Sequence, residues 1–191
     1  MKYNVNKVEI KGLLVIEPEM YRDDRGFFVE SYKKKDFEEI GINEYFVQDN
    51  YSSSKKGVFR GLHFQMKKSQ SKLIKVARGK GFSFAVDLRN KSSTFGYCEK
   101  VLLSDKNRLM FYIPKGFAHG FLSLEDDTEL CYKCSDYYSS EVESGIYWLD
   151  NDLRIDYELE EYGLKISDII LSEKDKKLQT LKEFISKGIV L

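Results

Sequence analysis

Ser71-Lys-Leu-Ile-Lys-Val-Ala-Arg-Gly-Lys-Gly-Phe-Ser-Phe-Ala-Val-Asp-Leu88 reads as two strands joined by a turn. Leu73 and Lys75 point one way, and Lys72, Ile74 and Val76 the other, which is the two-residue period of a strand. Gly79 and Gly81 frame the turn, and residues 82–88 form the second strand. Upstream, Gly57-Val-Phe-Arg-Gly-Leu-His-Phe-Gln65 and residues 45–51 read as strands, with 52–56 as a polar loop between them. Residues 34–40 carry helix formers and stop at Gly41. Asp23-Asp24-Arg25-Gly26 is a turn that opens onto a strand at 27–30, and residues 7–10 and 13–17 are extended, as an edge or exchanged strand. Downstream, 97–103 and 109–113 read as a hairpin, followed by strands at 117–124 and 128–133. Strands at this spacing, punctuated by turns, predict an all-β sandwich or barrel. A parallel α/β fold needs helical crossovers, and residues 45–135 offer none. Residues 171–184 break the pattern with helical spacing, and Ser172-Glu-Lys-Asp175 resembles a capping box at its start. No linker or repeat interrupts the chain, so residues 1–191 are expected to form a single domain.

Composition narrows the function. Thirty-one acidic residues balance 31 basic ones, so no basic excess marks a nucleic-acid partner. No apolar run reaches the ~18 residues of a membrane span, and the N-terminus lacks a signal-peptide core. Three cysteines are an odd number, and Cys131-Tyr-Lys-Cys134 lies in a strand that sends its ends to opposite faces. Reduced thiols in a cytoplasmic protein are the expected reading.

Two histidines carry the chemical signal. His63 suits proton transfer near neutral pH, and Arg60 nearby suits a phosphate or carboxylate. Read locally, the same pair is a core histidine beside a surface arginine. Strict alternation separates Arg60 from His63, and a bulge near Gly61 would bring both to one cavity. Pro114-x-Gly116-x-x-His119 is the sort of turn-strand element found in cupin proteins. Metal-binding cupins use a His-x-His pair on an earlier strand. Here that element is His63-Phe-Gln65, so a ligand is missing and no metal is expected.

Eight blocks in order resemble the dTDP-4-dehydrorhamnose 3,5-epimerase family. They are Asp24-Arg-Gly-Phe-Phe-Val-Glu30, Gln48-Asp-Asn50, the Gly57–Gln65 stretch, Ser71-Lys-Leu73, Ala85-Val-Asp-Leu-Arg89, Ile113-Pro-Lys-Gly-Phe-Ala-His-Gly-Phe-Leu122, Tyr132-Lys-Cys134 and Leu171-Ser-Glu-Lys-Asp175. The resemblance implies a cupin-like double-stranded β-helix, a jelly-roll barrel with short peripheral helices that include one near the C-terminus. It also implies a homodimer, no cofactor, and a sugar-nucleotide substrate of the dTDP-4-keto-6-deoxyhexose kind. It assigns His63 as base, Asp175 as its partner, Lys72 as the cation that stabilises an enolate, and Tyr132 as the acid on the opposite face. It places Arg25, Glu30, Gln48, Asp49, Asn50, Arg60, His119, Tyr138, Glu143 and Lys174 in substrate binding. Read locally, Asp175 is a helix cap, Lys72 a surface lysine and Tyr132 a packed aromatic.

The chain departs from the family pattern at Ser83, where an aspartate is usual, and at Asp150-Asn151 and Tyr157-Glu158, where prolines are usual. Ser83 raises a variant reading in which only C3 or C5 is inverted, or a related sugar such as a heptose is used. A non-catalytic cupin that binds a small ligand is the reading from another class, and a metal-dependent cupin oxygenase ranks third.

Overall fold

The computed structural model describes residues 2–189 and 191. Two antiparallel sheets pack face to face. The larger runs in the order β1 (Tyr3–Lys7), β2 (Leu14–Pro18), β10 (Met110–Ile113), β7 (Lys72–Arg78), β12 (Thr128–Cys134) and β5 (Gln48–Ser54). The smaller runs β13 (Glu143–Gly145), β6 (Phe59–Gln65), β11 (Phe117–Ser123), β8 (Lys80–Asp87) and β9 (Cys98–Ser104). The hairpin β3 (Met20–Asp23) and β4 (Gly26–Val29) belongs to neither sheet. This is the expected jelly-roll architecture, with short helices α1 (Lys34–Glu39) and α2 (Leu181–Ser186) at its edges.

Strand alternation sorts the side chains into three layers. Ile74, Val76 and Leu130 of the larger sheet meet Ala85, Leu103, Phe117 and Phe121 of the smaller one in the central core. Leu73, Met110 and Tyr112 turn outward and are covered by Phe37 of α1 and by Ile42. Helix α1 has no side-chain cap. It is held by Phe37, whose ring lies 4.9 Å from those of both Tyr3 and Tyr32. On the far side, Phe59, Phe64, Phe82, Phe84 and Val86 leave the smaller sheet outward and are roofed by Trp148, Tyr157, Leu181 and Phe184. Burying each such ring stabilises the fold by ~1.5–3 kcal/mol. The C-terminal third of the chain is therefore the cover of the second sheet.

Strand β1 ends where the extended segment 7–10 was expected to begin, β5 continues through residues 52–54 of the expected loop, and two larger expectations also fail. The segments read as one hairpin, β9 and β10, do not pair: β9 joins β8, and β10 lies between β2 and β7. The intervening chain crosses from one sheet to the other, with Arg108 at φ 54°. Alternation is the same in both arrangements, so the pattern could not separate them. The helix expected over 171–184 is instead a 3-10 turn (Asp175–Lys177) followed by α2. The complete capping box belongs to Thr180 and Glu183, at the start of α2. Ser172 accepts from the backbone N–H of Asp175 at 3.1 Å, but the Asp175 carboxylate is directed to His63 and does not complete a capping box.

Strand β6 carries the bulge that its sequence called for. His63 is opposite His119 while Arg60 is opposite Phe121, so β6 spends one more residue than β11 over the same span. Gly61 is the residue that permits it. Its φ is +125°, and a Cβ there would lie 2.6 Å from Gly120 Cα and from the His119 carbonyl oxygen. Arg60, His63 and Gln65 consequently share the inner face.

Candidate active site

A cavity of about 680 Å³ opens between the two sheets at one end of the sandwich. One wall is the smaller sheet, with Arg60, His63 and Gln65 from β6 and His119 from β11. The opposite wall is the larger sheet, with Gln48 and Asn50 from β5, Lys72 from β7, and Tyr132 and Cys134 from β12. Tyr138, Glu143, Ser172, Lys174 and Asp175 rim it from the C-terminal cover and its approaches. A second hollow, of about 370 Å³, lies on the outer face of the larger sheet around Lys75 and Cys131. It shares none of the smaller sheet's residues.

His63 Nε2 lies 2.6 Å from Asp175 Oδ1. Asp175 is buried, at 4% exposure. Burial pushes its carboxyl up, but hydrogen bonding from His63, Ser172 and the Gly61 N–H outweighs this, and it stays below the usual aspartate range. An ionised Asp175 holds the proton of the imidazole on Nε2, which leaves Nδ1 as the basic nitrogen. The nearest carboxylate oxygen to Nδ1 is Oε1 of Glu143, at 3.9 Å. Glu143 accepts a 2.6 Å hydrogen bond from the Tyr138 hydroxyl and is paired with Lys174. Burial raises the Glu143 carboxyl, but Lys174, Tyr138 and His63 together bring it below its usual range.

Across the cavity, the Lys72 ammonium is 5.8 Å from the centre of the Tyr132 ring. Burial holds Lys72 below the usual lysine range, against smaller opposing pulls from Cys134 and Glu143. Burial is also the main cause that raises the Tyr132 phenol, so the tyrosine is a protonated donor at neutral pH. His119 Nε2 is 3.0 Å from the Ser83 hydroxyl. Burial first, then the charges of Lys72 and His63, hold His119 well below the ordinary histidine range, so it is neutral. The result is an imidazole–carboxylate base on one wall, a phenol on the other, and a partly buried cation beside the phenol. An activated C–H placed between the walls can lose a proton to one face and regain one from the other. The anion formed between those steps would face a fixed positive charge.

Sequence relationships agree with this geometry. The family model for dTDP-4-dehydrorhamnose 3,5-epimerase matches residues 7–183. This chain belongs to that family. A dTDP-4-dehydrorhamnose 3,5-epimerase of Methanothermobacter thermautotrophicus is 49% identical over 177 residues, covering 93% of this chain and 94% of the relative. The crystal structure of a Legionella pneumophila dTDP-6-deoxy-D-glucose-3,5-epimerase in complex with dTDP-4-keto-L-rhamnose is 44% identical. It superposes with a TM-score of 0.91 over 98% of this chain and 97% of that one. A 3'-monoepimerase of Streptomyces bikiniensis in complex with dTDP-quinovose is similar at 30% identity, with a TM-score of 0.88 over 97% of this chain and 91% of that one. The fold is thus the cupin-like one of these epimerases, and the chain is an isomerase.

Of the residues the epimerase resemblance singles out, His63, Tyr132, Lys72, Asp175, Gln48, Asn50, Arg60, His119, Tyr138, Glu143 and Lys174 all line the one cavity. Three do not. Asp49 lies between Gln48 and Asn50 on β5, so alternation turns it to the outer face, where it pairs with Lys133 at 2.8 Å. Arg25 sits at the β3–β4 turn with its side chain 90% exposed, paired with Asp23. Glu30 follows the hairpin and meets Lys2 at 3.3 Å. Among the described residues, no three His, Cys, Asp or Glu side chains are grouped to hold a metal ion.

Sequence reasoning passed over Gln65, Cys134 and Ser172, which also line the cavity. For Gln65 the signal was available, because it is two residues from His63 on one strand and shares its face. It accepts from the Ser139 N–H at 2.6 Å and donates to the Lys68 carbonyl at 2.9 Å, fixing two loops at the mouth.

Proposed function

We propose that this chain inverts C3 and C5 of dTDP-4-dehydro-6-deoxyglucose, by proton abstraction and reprotonation through an enolate. The observation that carries this reading is the opposed pair: His63, held by Asp175, on one wall and Tyr132 on the other. The C4 ketone acidifies the hydrogens at C3 and C5. His63 Nδ1 takes one proton, Lys72 holds the enolate oxygen, and the Tyr132 hydroxyl delivers a proton to the other face. Losing one such oxyanion donor costs ~2.7–4 kcal/mol elsewhere. There is no net oxidation or reduction and no group is transferred, so the chemistry requires no redox cofactor. Arg60, Gln48, Asn50, His119 and Tyr138 form the floor and rim for the nucleotide, with the Arg60 fork suited to a diphosphate.

Arg25 and Glu30 join this site through a second copy of the chain. The β3–β4 hairpin stands apart from both sheets and exposes Tyr21, Phe27 and Phe28 at 49%, 45% and 66%. Tyr21 and Phe28 are partners across the hairpin and share one face, an exposed aromatic pair suited to association. We assign it to a homodimer in which each hairpin reaches the partner's cavity. The chain acts as one domain, in keeping with the extent of the family match. Cys98, Cys131 and Cys134 are all free thiols, which fits a cytoplasmic location. Among the described residues, no helix is long and apolar enough to cross a membrane.

The test is proton NMR of dTDP-4-dehydro-6-deoxyglucose with the purified protein in deuterated water. Deuterium entering both C3 and C5, with inversion and with loss of the effect in His63→Asn, is the expected result. Exchange at one carbon alone would select the single-centre reading that Ser83, in place of the family's usual aspartate, raises. Binding without exchange would leave a non-catalytic ligand-binding protein.

A further inference from the structure

Opposed-face epimerisation leaves the enzyme in the wrong protonation state. Each inverted centre puts one proton on His63 and takes one from Tyr132. The site ends with an imidazolium on one wall and a phenolate on the other. A second centre, or the next substrate, needs a neutral base and a protonated acid again. One proton must therefore leave His63, and one must reach Tyr132.

The His63 side chain is 27% exposed towards the cavity, and with the sugar seated over that face the protein itself offers the proton two directions. Nε2 faces Asp175, which is buried at 4% exposure and enclosed by Ser172 and the Gly61 N–H. A proton passed that way has nowhere to go. Nδ1 faces Oε1 of Glu143 at 3.9 Å. That is about 1 Å beyond a hydrogen bond, so the contact is open while the imidazole is neutral. Protonation of Nδ1 creates the charge that draws the two groups together, because a charge-assisted hydrogen bond is the stronger kind. The other oxygen of Glu143 accepts from the Tyr138 hydroxyl at 2.6 Å and pairs with the Lys174 ammonium. Tyr138 is 53% exposed, and the Lys174 side chain likewise is 53% exposed, so this carboxylate spans from the base to solvent. The remaining group near His63 is His119, which is neutral, buried and bonded to the buried Ser83, and leads no further outward.

We propose that Glu143 is the proton exit of the base, resetting His63 between one inverted centre and the next. The imidazolium Nδ1–H bond breaks as an O–H bond forms on Oε1 of Glu143. The proton then passes to water or a buffer base at the rim, and a solvent proton returns the Tyr132 phenolate to the phenol. In this role Glu143 acts through His63, in addition to the place in substrate binding that the family resemblance gives it. The inference rests on His63 being the base.

The experiment compares Glu143→Gln with the wild-type enzyme in two regimes. A single turnover, with enzyme in excess, reads the first C–H cleavage as deuterium entry. Steady-state turnover reads cleavage plus reset. In Glu143→Gln, steady-state kcat in a bulky buffer should fall about 10²-fold further than the rate of first C–H cleavage does, so that the ratio of the two separates proton exit from any part Glu143 has in binding substrate. Acetate, added at constant ionic strength, should then restore kcat in a saturable way and leave the wild type unchanged. Glu143→Asp, which keeps the carboxylate, should lie between the two without needing acetate. The proposal is overturned if kcat is unchanged in Glu143→Gln. It is also overturned if first cleavage and turnover fall together with no response to acetate, because Glu143 would then only place groups or bind substrate. A wild-type enzyme that exchanges no proton at C3 or C5 would instead refute the epimerase reading on which the proposal stands, and the wild-type arm reports that separately.

Discussion

Asp175→Asn should lower kcat by about 10²- to 10³-fold while leaving the fold intact. The aspartate has two oxygens and three donors around it: His63 Nε2 at 2.6 Å, the Gly61 N–H and the Ser172 side chain. Asparagine has a single oxygen for the same donors. If that oxygen stays with Gly61 and Ser172, the amide NH2 faces Nε2. The imidazole must then carry its proton on Nδ1, which blocks the basic nitrogen. If the oxygen stays with Nε2, the tautomer survives, but the imidazolium formed on abstraction loses its carboxylate. A hydrogen bond to a charged group contributes ~1.5–3 kcal/mol, and each ~1.36 kcal/mol is tenfold in rate. The lost charge alone thus accounts for about tenfold to 10²-fold, and the tautomer supplies the rest. Steady-state turnover by proton NMR, with KM measured in parallel, is the assay. KM should move by less than about threefold, because Asp175 acts through the imidazole and removes little uniform binding. Retention of kcat within about threefold would refute the assignment of Asp175 as the partner of the base. A parallel loss of structure by circular dichroism would show instead that the pair mainly holds the fold.

Lys72→Met should lose about 10²–10³-fold in kcat, the ~2.7–4 kcal/mol of an oxyanion donor, yet unfold at a higher temperature. Burial lowers the Lys72 pKa in the folded state, so the unfolded chain binds more protons and wild-type stability rises with pH towards the alkaline range; the Met variant should lack that rise. Asp87→Asn should cost about 2 kcal/mol at pH 7, measured by urea unfolding. Burial would raise the Asp87 carboxyl, but hydrogen bonds from Arg89, Ser92 and Thr94 outweigh it and take it to about 2. That stability is fully present above the unfolded aspartate pKa of ~3.9 and disappears as pH falls through the folded value, so variant and wild type should converge near pH 2. Mixing Arg25→Ala chains with His63→Asn chains should recover up to about a quarter of wild-type activity if the hairpin serves the partner's cavity, and none if each site is built from one chain.

Much of the site was legible because strand parity is a strong constraint. Lys72 shares a face with Ile74 and Val76, so its inward placement followed from two apolar neighbours. Arg60 and His63 could meet only through an irregularity, and Gly61 marked where it would fall. Parity also contained the answer for Asp49, since two inward neighbours, Gln48 and Asn50, leave it facing out. The family pattern grouped all three and concealed that difference. What parity cannot convey is which strand lies beside which. Segments β9 and β10 have the composition of a hairpin, but packing on two different sheets decides their partners. The segment around Asp175 was misread for a related reason. A local box pattern and a few apolar residues at helical spacing fit a helix, while the buried contact to His63, 112 residues earlier in the chain, holds it as a single 3-10 turn. Long-range contacts also explain why the Glu143 link between His63 and the rim had no local signature. Its partners lie on β6, on the loop before β13 and on the segment leading into the 3-10 turn.

The central claim is that the base and the acid stand on opposite walls. Tyr132→Phe in deuterated water tests it most directly, because His63, Asp175 and Lys72 remain in place. The account predicts that deuterium still enters the sugar at carbons next to the ketone while inversion is lost, the proton returning only from the His63 face. Loss of exchange and inversion together, with substrate still bound, would contradict it and place Tyr132 in the abstraction step.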